Sequence, residues 1–123
     1  MRSLVLLALV LGALVAPSAA AGSVDFRTPN GAAYCRIANG AARLVCWTPN
    51  DGFTVRMGLR GHPSTEYVLR HQDFQPGVTR VLRFGERWRR SGFRCTSRRS
   101  GLTCRNRARN GWWLGRRFGY RPL

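Results

Sequence analysis

Ser91-Gly92-Phe93-Arg94-Cys95-Thr96-Ser97-Arg98-Arg99-Ser100-Gly101-Leu102-Thr103-Cys104-Arg105 reads as a β-hairpin folded about its own cysteines. Eight residues separate the two cysteines, and Ser100-Gly101 supplies a turn between them. If Cys95 opposes Cys104, then Thr96 faces Thr103, Ser97 faces Leu102 and Arg94 faces Arg105. Side chains alternate across a strand, so Phe93, Cys95, Leu102 and Cys104 share one face, a core face, and Arg94, Thr96, Thr103 and Arg105 share the other. Two guanidinium groups placed directly opposite each other are unfavourable unless they are solvated or share an anion.

A second stretch repeats the plan. Asn30-Gly31-Ala32-Ala33-Tyr34-Cys35 leads through ten residues containing Asn39-Gly40 to Cys46, followed by Asn50-Asp51-Gly52-Phe53. The 91–105 hairpin is likewise followed by Asn110-Gly111-Trp112. The same pairing rule puts Ile37 opposite Leu44 and Tyr34 opposite Trp47. Four cysteines permit three connectivities. The local pairs Cys35–Cys46 and Cys95–Cys104 are favoured, because each brackets a hairpin turn. The spacings C-x10-C and C-x8-C do not suit zinc, whose cysteine ligands come two to four residues apart, so neither a metal nor a cofactor is expected. Each bridge closes a loop of about ten residues, worth roughly 3 kcal/mol in the chain-entropy model. In a chain with so small a core, two such bridges matter.

Residues 1–22 read as a secretory signal peptide. Arg2 gives the positive start, Leu4 to Ala16 the apolar run, and Pro17-Ser18-Ala19-Ala20-Ala21 the small residues for cleavage near 19–22. Thirteen apolar residues fall short of the roughly 20 that a spanning helix needs, and no later segment approaches that length. A secreted or extracytoplasmic location follows, a setting in which disulfides form and persist.

Residues 23–123 read as one mainly β domain: a small antiparallel sheet or barrel-like fold built from two disulfide-stapled hairpin modules, 23–59 and 79–123. The connecting segment 60–78, with Gly61, Pro63, Pro76 and Gly77, looks loosest. Runs rich in Val, Ile, Thr, Tyr, Phe and Trp between Gly, Pro, Asn and Asp predict strands near 32–38, 42–48, 52–59, 65–70, 79–84, 86–90, 92–97, 101–106 and 111–120.

Charge is unevenly placed. Residues 23–79 carry six arginines against Asp25, Asp51, Glu66 and Asp73, a net of +2. Residues 80–123 carry fourteen arginines against Glu86 alone, a net of +13, and the whole chain has no lysine. Such a field attracts polyanions and anionic surfaces, and arginine grips phosphate or carboxylate with a planar fork. Arg87, Arg89, Arg94, Arg105, Arg107, Arg109, Arg116 and Arg117 are the candidate anion-binding residues. Aromatic residues interleave with them: Trp88 between Arg87 and Arg89, and Trp112-Trp113 and Phe118 to Tyr120 around Arg116-Arg117. Such interleaving suits either stacked ligand rings or a small core edged by arginines.

Catalytic constellations are scarce. His71-Gln72-Asp73, with Glu66 nearby, sets an imidazole near carboxylates in the loosest part of the chain, which suits a surface loop better than a metal or base site. No nucleophile elbow, phosphate-binding loop or helix-borne metal motif is present, so an enzyme is not expected.

The run Val81-Leu82-Arg83-Phe84-Gly85-Glu86-Arg87-Trp88, with Gly92 to Ser97, Ser100 to Arg107 and Asn110-Gly111-Trp112-Trp113-Leu114, resembles an uncharacterised family of small secreted, disulfide-containing proteins of GC-rich bacteria. Phe26-x-Thr28-Pro29-Asn30-Gly31 extends the resemblance to the first module. It implies export, a compact disulfide-bonded domain and no assigned activity. Members often carry a further cysteine pair in the middle segment, where this chain has none, and are generally less basic.

The expectation is a non-enzymatic module whose C-terminal arginine face binds an anionic polymer or cell-envelope surface, with nucleic acid a less favoured partner. The alternative is a protein-binding module, an inhibitor or effector presenting loops on the disulfide scaffold.

Overall fold

Alternation of apolar and polar side chains about each cysteine pair lays the chain out as two antiparallel meanders. A computed structural model describes residues 12, 24–38, 42–68, 80–116 and 119–123. The first sheet runs β1 (Phe26–Arg27), β2 (Tyr34–Ile37), β3 (Arg43–Thr48), β4 (Phe53–Gly58), β5 (Ser64–Tyr67), in that spatial order. The second runs β6 (Arg87–Arg90), β7 (Phe93–Arg98), β8 (Gly101–Arg105), β9 (Gly111–Gly115), β10 (Tyr120–Pro122), again with sequential neighbours paired. A 3-10 turn, Pro29–Gly31, links β1 and β2.

The register expected from the cysteines is the one found. Cys35 opposes and bonds Cys46, and Cys95 opposes and bonds Cys104, with each pair of Cα atoms 4.1 Å apart. That is the closer of the two spacings an antiparallel ladder offers. Ile37 lies opposite Leu44, Tyr34 opposite Trp47, Thr96 opposite Thr103, Ser97 opposite Leu102 and Arg94 opposite Arg105.

Both cystines face one shared core. The first sheet contributes Phe26, Leu44, Val55 and Met57, and the second Trp88, Phe93, Leu102, Trp112 and Leu114. Phe26 opposes Cys35 and Trp88 opposes Cys95, so the two rings hold equivalent places, and they meet with centroids 4.8 Å apart. Phe53 and Tyr120 add a second aromatic contact between the sheets at 5.1 Å.

Four details differ from the sequence reading. The two-residue strand β1 was not expected. The run 79–84 makes no regular strand over its described residues: Arg27 N donates to Arg80 O and Leu82 N to Arg27 O, a single parallel bridge that sews this segment to the first sheet. Within the supposed connection 60–78, β5 pairs with β4 from Phe53–Tyr67 to Arg56–Ser64, so the first sheet extends beyond residue 59. The expected strand 111–120 is two strands, β9 and β10, closed by Gly115 N donating to Gly119 O. The Asn39-Gly40 turn lies outside the described residues.

Two turns at one end of the second sheet have definite causes. Ser91 (φ 52°) and Gly92 (φ 89°) both take left-handed conformations, as a two-residue hairpin loop of the twist-matched kind requires. A Cβ at Gly92 would stand 2.6 Å from Arg107 Nε and 2.8 Å from a Leu59 methyl, so this position has neither the conformation nor the space for a side chain. Asn106, buried after β8, ties the neighbouring turn to the first sheet. Its Nδ2 donates to Gly58 O at 2.9 Å and Gly61 O at 2.8 Å, while its Oδ1 accepts from Ala108 N and Asn110 N. Replacing Asn106 with Ala leaves all four partners unpaired and is expected to cost about 2–4 kcal/mol in urea unfolding with the disulfides intact. Asn110→Ala, which loses one exposed bond to Arg60 O, should cost under about 1 kcal/mol in the same measurement.

Candidate anion-binding face

Alternation sorts the arginine-aromatic runs. Arg87 and Arg89 point away from the core and Trp88 into it, where it is 6% exposed; Trp112 is buried and Trp113 points outward. The interleaving of aromatic and basic residues is therefore, at these positions, the inside-outside pattern of strands. Trp88 and Trp112 are core and present no ring to a ligand.

On the outer face the Arg94–Arg105 opposition is part of a longer row. Arg89 pairs with Arg94 across β6 and β7, and Arg94 with Arg105 across β7 and β8. Adjacent strands lie about 4.8 Å apart, so three guanidinium stems rise side by side at about that interval. The next row reads Arg87, Thr96, Thr103, Trp113, Arg121 across all five strands. Arg87, Arg89, Arg94 and Arg121 are exposed, Arg105 half-buried.

Trp113 rests on a bed of glycine. A Cβ at Gly101, Gly115 or Gly119 would come within 2.9, 2.6 and 2.7 Å of its ring atoms. The Arg121 guanidinium sits over the ring, 5.0 Å from its centroid, a cation–π contact that gives Arg121 a defined position on the face. Arg121 was not among the expected residues. The register that puts it there comes from β10, which the continuous 111–120 run concealed.

Beyond the end of the Arg89–Arg94–Arg105 row, the Ser91-Gly92 turn and the turn from Arg107 to Asn110 enclose an open cavity of about 470 Å³. Arg89, Arg90, Arg94, Arg107 and Arg109 line it, with Phe93 and Asn106. Arg105 Nη1 donates to Arg109 O at 2.9 Å, and Arg109 holds a left-handed backbone at φ 65°.

Four acids lie among the described residues, and one of them, Asp25, engages an arginine of this cavity. Asp25 pairs with Arg90 and accepts Ile37 N at 2.6 Å; Asp51 accepts the Thr48 hydroxyl and Phe53 N; Glu66 pairs with Arg56; Glu86 pairs with Arg80 at 3.5 Å. Among the described residues, no salt bridge joins an acid to Arg87, Arg89, Arg94, Arg105, Arg107 or Arg109.

Of the expected residues, Arg87, Arg89, Arg94 and Arg105 thus share the outer face, and Arg107 and Arg109 stand at its end. Arg116 is apart from them, at the opposite end of the strands. There it lines a cavity of about 160 Å³ with Asp51, Phe53, Tyr67 and Tyr120, where burial raises the Tyr120 phenol above its usual pKa. Arg117, Phe118, His71 and Asp73 lie outside the described residues. Glu66 is taken by Arg56, and His62 is exposed. Among the described residues, no three His, Cys, Asp or Glu side chains gather as metal ligands.

No family model, curated protein or solved structure matches this chain.

The glycine bed is testable without a ligand. Gly115→Ala and Gly119→Ala drive a methyl into the Trp113 ring and are expected to destabilise by about 1–3 kcal/mol in reversible thermal or urea unfolding. Gly61→Ala, where a Cβ meets nothing within 4 Å, should stay within about 0.5 kcal/mol.

Proposed function

We propose that this protein is an extracytoplasmic, non-enzymatic binding module that docks an anionic polymer on the outer face of its second sheet. The observation that carries this reading is the Arg89–Arg94–Arg105 row, three directly opposed cations without an acid partner among the described residues. Such a row is self-repelling, and an extended chain of anions relieves the repulsion along its whole length. The corresponding positions of the first sheet, counted from its cystine, are Arg27, Tyr34 and Trp47, so the scaffold itself does not require three guanidinium groups there.

The two disulfides are consistent with life outside the reducing cytosol, and the 1–22 segment supplies the export signal in this reading. Envelope polymers and acidic polysaccharides are the favoured partners, ahead of nucleic acid. The chemistry is that of charge neutralisation: each guanidinium that meets a phosphate or carboxylate displaces condensed counterions, so affinity falls linearly with salt on a double logarithmic scale.

Binding of the mature protein to model polyanions should be measurable at roughly 50 mM salt and fall steeply toward 200 mM. The triple variant R89S/R94S/R105S should flatten the salt slope by about 2–3, at about 0.7–0.9 for each contact removed. Absence of binding at low salt, or binding indifferent to salt, sinks the proposal. A single protein partner retained at high salt by the triple variant would identify a protein-binding module instead.

A further inference from the structure

We propose that the cavity between the Ser91-Gly92 and Arg107–Asn110 turns is a receptor for a phosphate-type dianion, a phosphomonoester or pyrophosphate group. On this view the polymer docked on the face is phosphate-based and is held by its end. The inference rests on the reading of the face as an anion-binding surface and names the chemistry it selects.

Charge count is the first support. Five arginines line the cavity, and Arg90 alone is engaged by an acid, Asp25. Four arginines, Arg89, Arg94, Arg107 and Arg109, then line the cavity without an acid partner among the described residues. A carboxylate brings one negative charge and two oxygens. A terminal phosphate brings about −1.5 to −2 and three strong acceptor oxygens, and so answers more of the converging donors at once. The flat row of the face offers one stem per strand and suits one anion after another. The cavity gathers its cations around a single volume and suits one multivalent group.

Preorganisation is the second support. The Arg107–Asn110 turn is held by Asn106 Oδ1 through Ala108 N and Asn110 N, and by Arg105 Nη1 on Arg109 O. Arg107 N donates to Leu59 O, anchoring the turn to the first sheet. The opposing wall is the two-residue turn whose Gly92 has no room for a Cβ beside Arg107. Both walls are therefore shaped before any ligand arrives, which lowers the ordering cost of binding.

The test is calorimetric titration of the mature protein with pyrophosphate and with citrate, a tricarboxylate of comparable charge near neutral pH. Pyrophosphate should bind 1:1 and about tenfold or more tighter than citrate, because several forks engage one group. R107S/R109S should lose about tenfold in pyrophosphate affinity, whereas R98S/R99S, exposed at the opposite end of the second sheet, should change it less than about twofold. R107K/R109K keeps the charge but removes the fork, and should lose the preference for pyrophosphate while the protein still binds polyphosphate.

Polyphosphate chains with free ends should compete with pyrophosphate about tenfold more strongly than end-blocked chains, which meet only the Arg89 and Arg94 that the row shares with the cavity. If the two compete equally, or neither competes, the polymer-end proposal fails. Equal affinity for citrate, or equal loss in R98S/R99S, also overturns it, even with salt-dependent polymer binding intact. Loss of all polymer binding at low salt overturns the underlying reading of the face instead.

Discussion

Two cystines lie directly across their strand pairs and face the same interior, and this placement decides where every other side chain points. The side-chain period of a strand is two, so a slip of one residue would exchange core and surface along a whole sheet. Bonding Cys35 to Cys46 and Cys95 to Cys104 forbids that slip at the middle of each meander. The aromatic pair Phe26 and Trp88 then meets because each opposes the first cysteine of its own sheet. Asn106 and the Arg27–Leu82 hydrogen bond stitch the sheets at their margins. With a core this small, cross-links near the centre do what added hydrophobic mass does in larger domains.

The same parity rule makes a functional surface from a crowded sequence. Residues 87–90 alternate Arg, Trp, Arg, Arg, and the sheet buries the indole while presenting Arg87 and Arg89. The two tryptophans at 112 and 113 separate in the same way, one filling the core and one lying on glycine with Arg121 over it. Like-charged neighbours along the outer row weaken the sheet, a cost that solvent offsets at Arg89 and Arg94, which remain exposed. Local repulsion is tolerable where the register is already held by a covalent bond.

What was legible in the sequence was what the cysteines anchor: the registers of β2–β3 and β7–β8, and with them the outward opposition of Arg94 and Arg105. Away from those anchors the signals weaken for physical reasons. A two-residue strand such as β1 has too few positions to display a period, and Arg27 pairs on one side with β2 and on the other with Val81. The 79–84 run has strand-like composition but finds only a single bridge. β9 and β10 read as one element because the aromatic residues on either side outweighed the turn signal of Gly115 and Gly119. Asn106 looks like any turn asparagine until the first sheet brings the Gly58 and Gly61 carbonyls to it. Of the cavity arginines, Arg89, Arg94, Arg107 and Arg109 were legible singly and Arg90 was not; the cavity itself depends on two separate turns that the sheet brings side by side.

The two meanders supply an internal comparison that bears on why the charge is where it is. Counted from the cystines, Tyr34 and Trp47 occupy the places of Arg94 and Arg105, and their rings contact each other at 6.3 Å. Arg56 stands where the second sheet has Trp113, and it is neutralised by Glu66 on the neighbouring strand. The position equivalent to Glu66 is occupied by Leu123, whose backbone pairs with Gly111. The first sheet thus covers its outer face with an aromatic pair and a cross-strand ion pair, using the same backbone plan that in the second sheet carries arginines without an acid partner among the described residues. Side-chain choice, not the fold, sets the potential of each face. Among the described residues, one outer face thus pairs an arginine with an acid and the other does not.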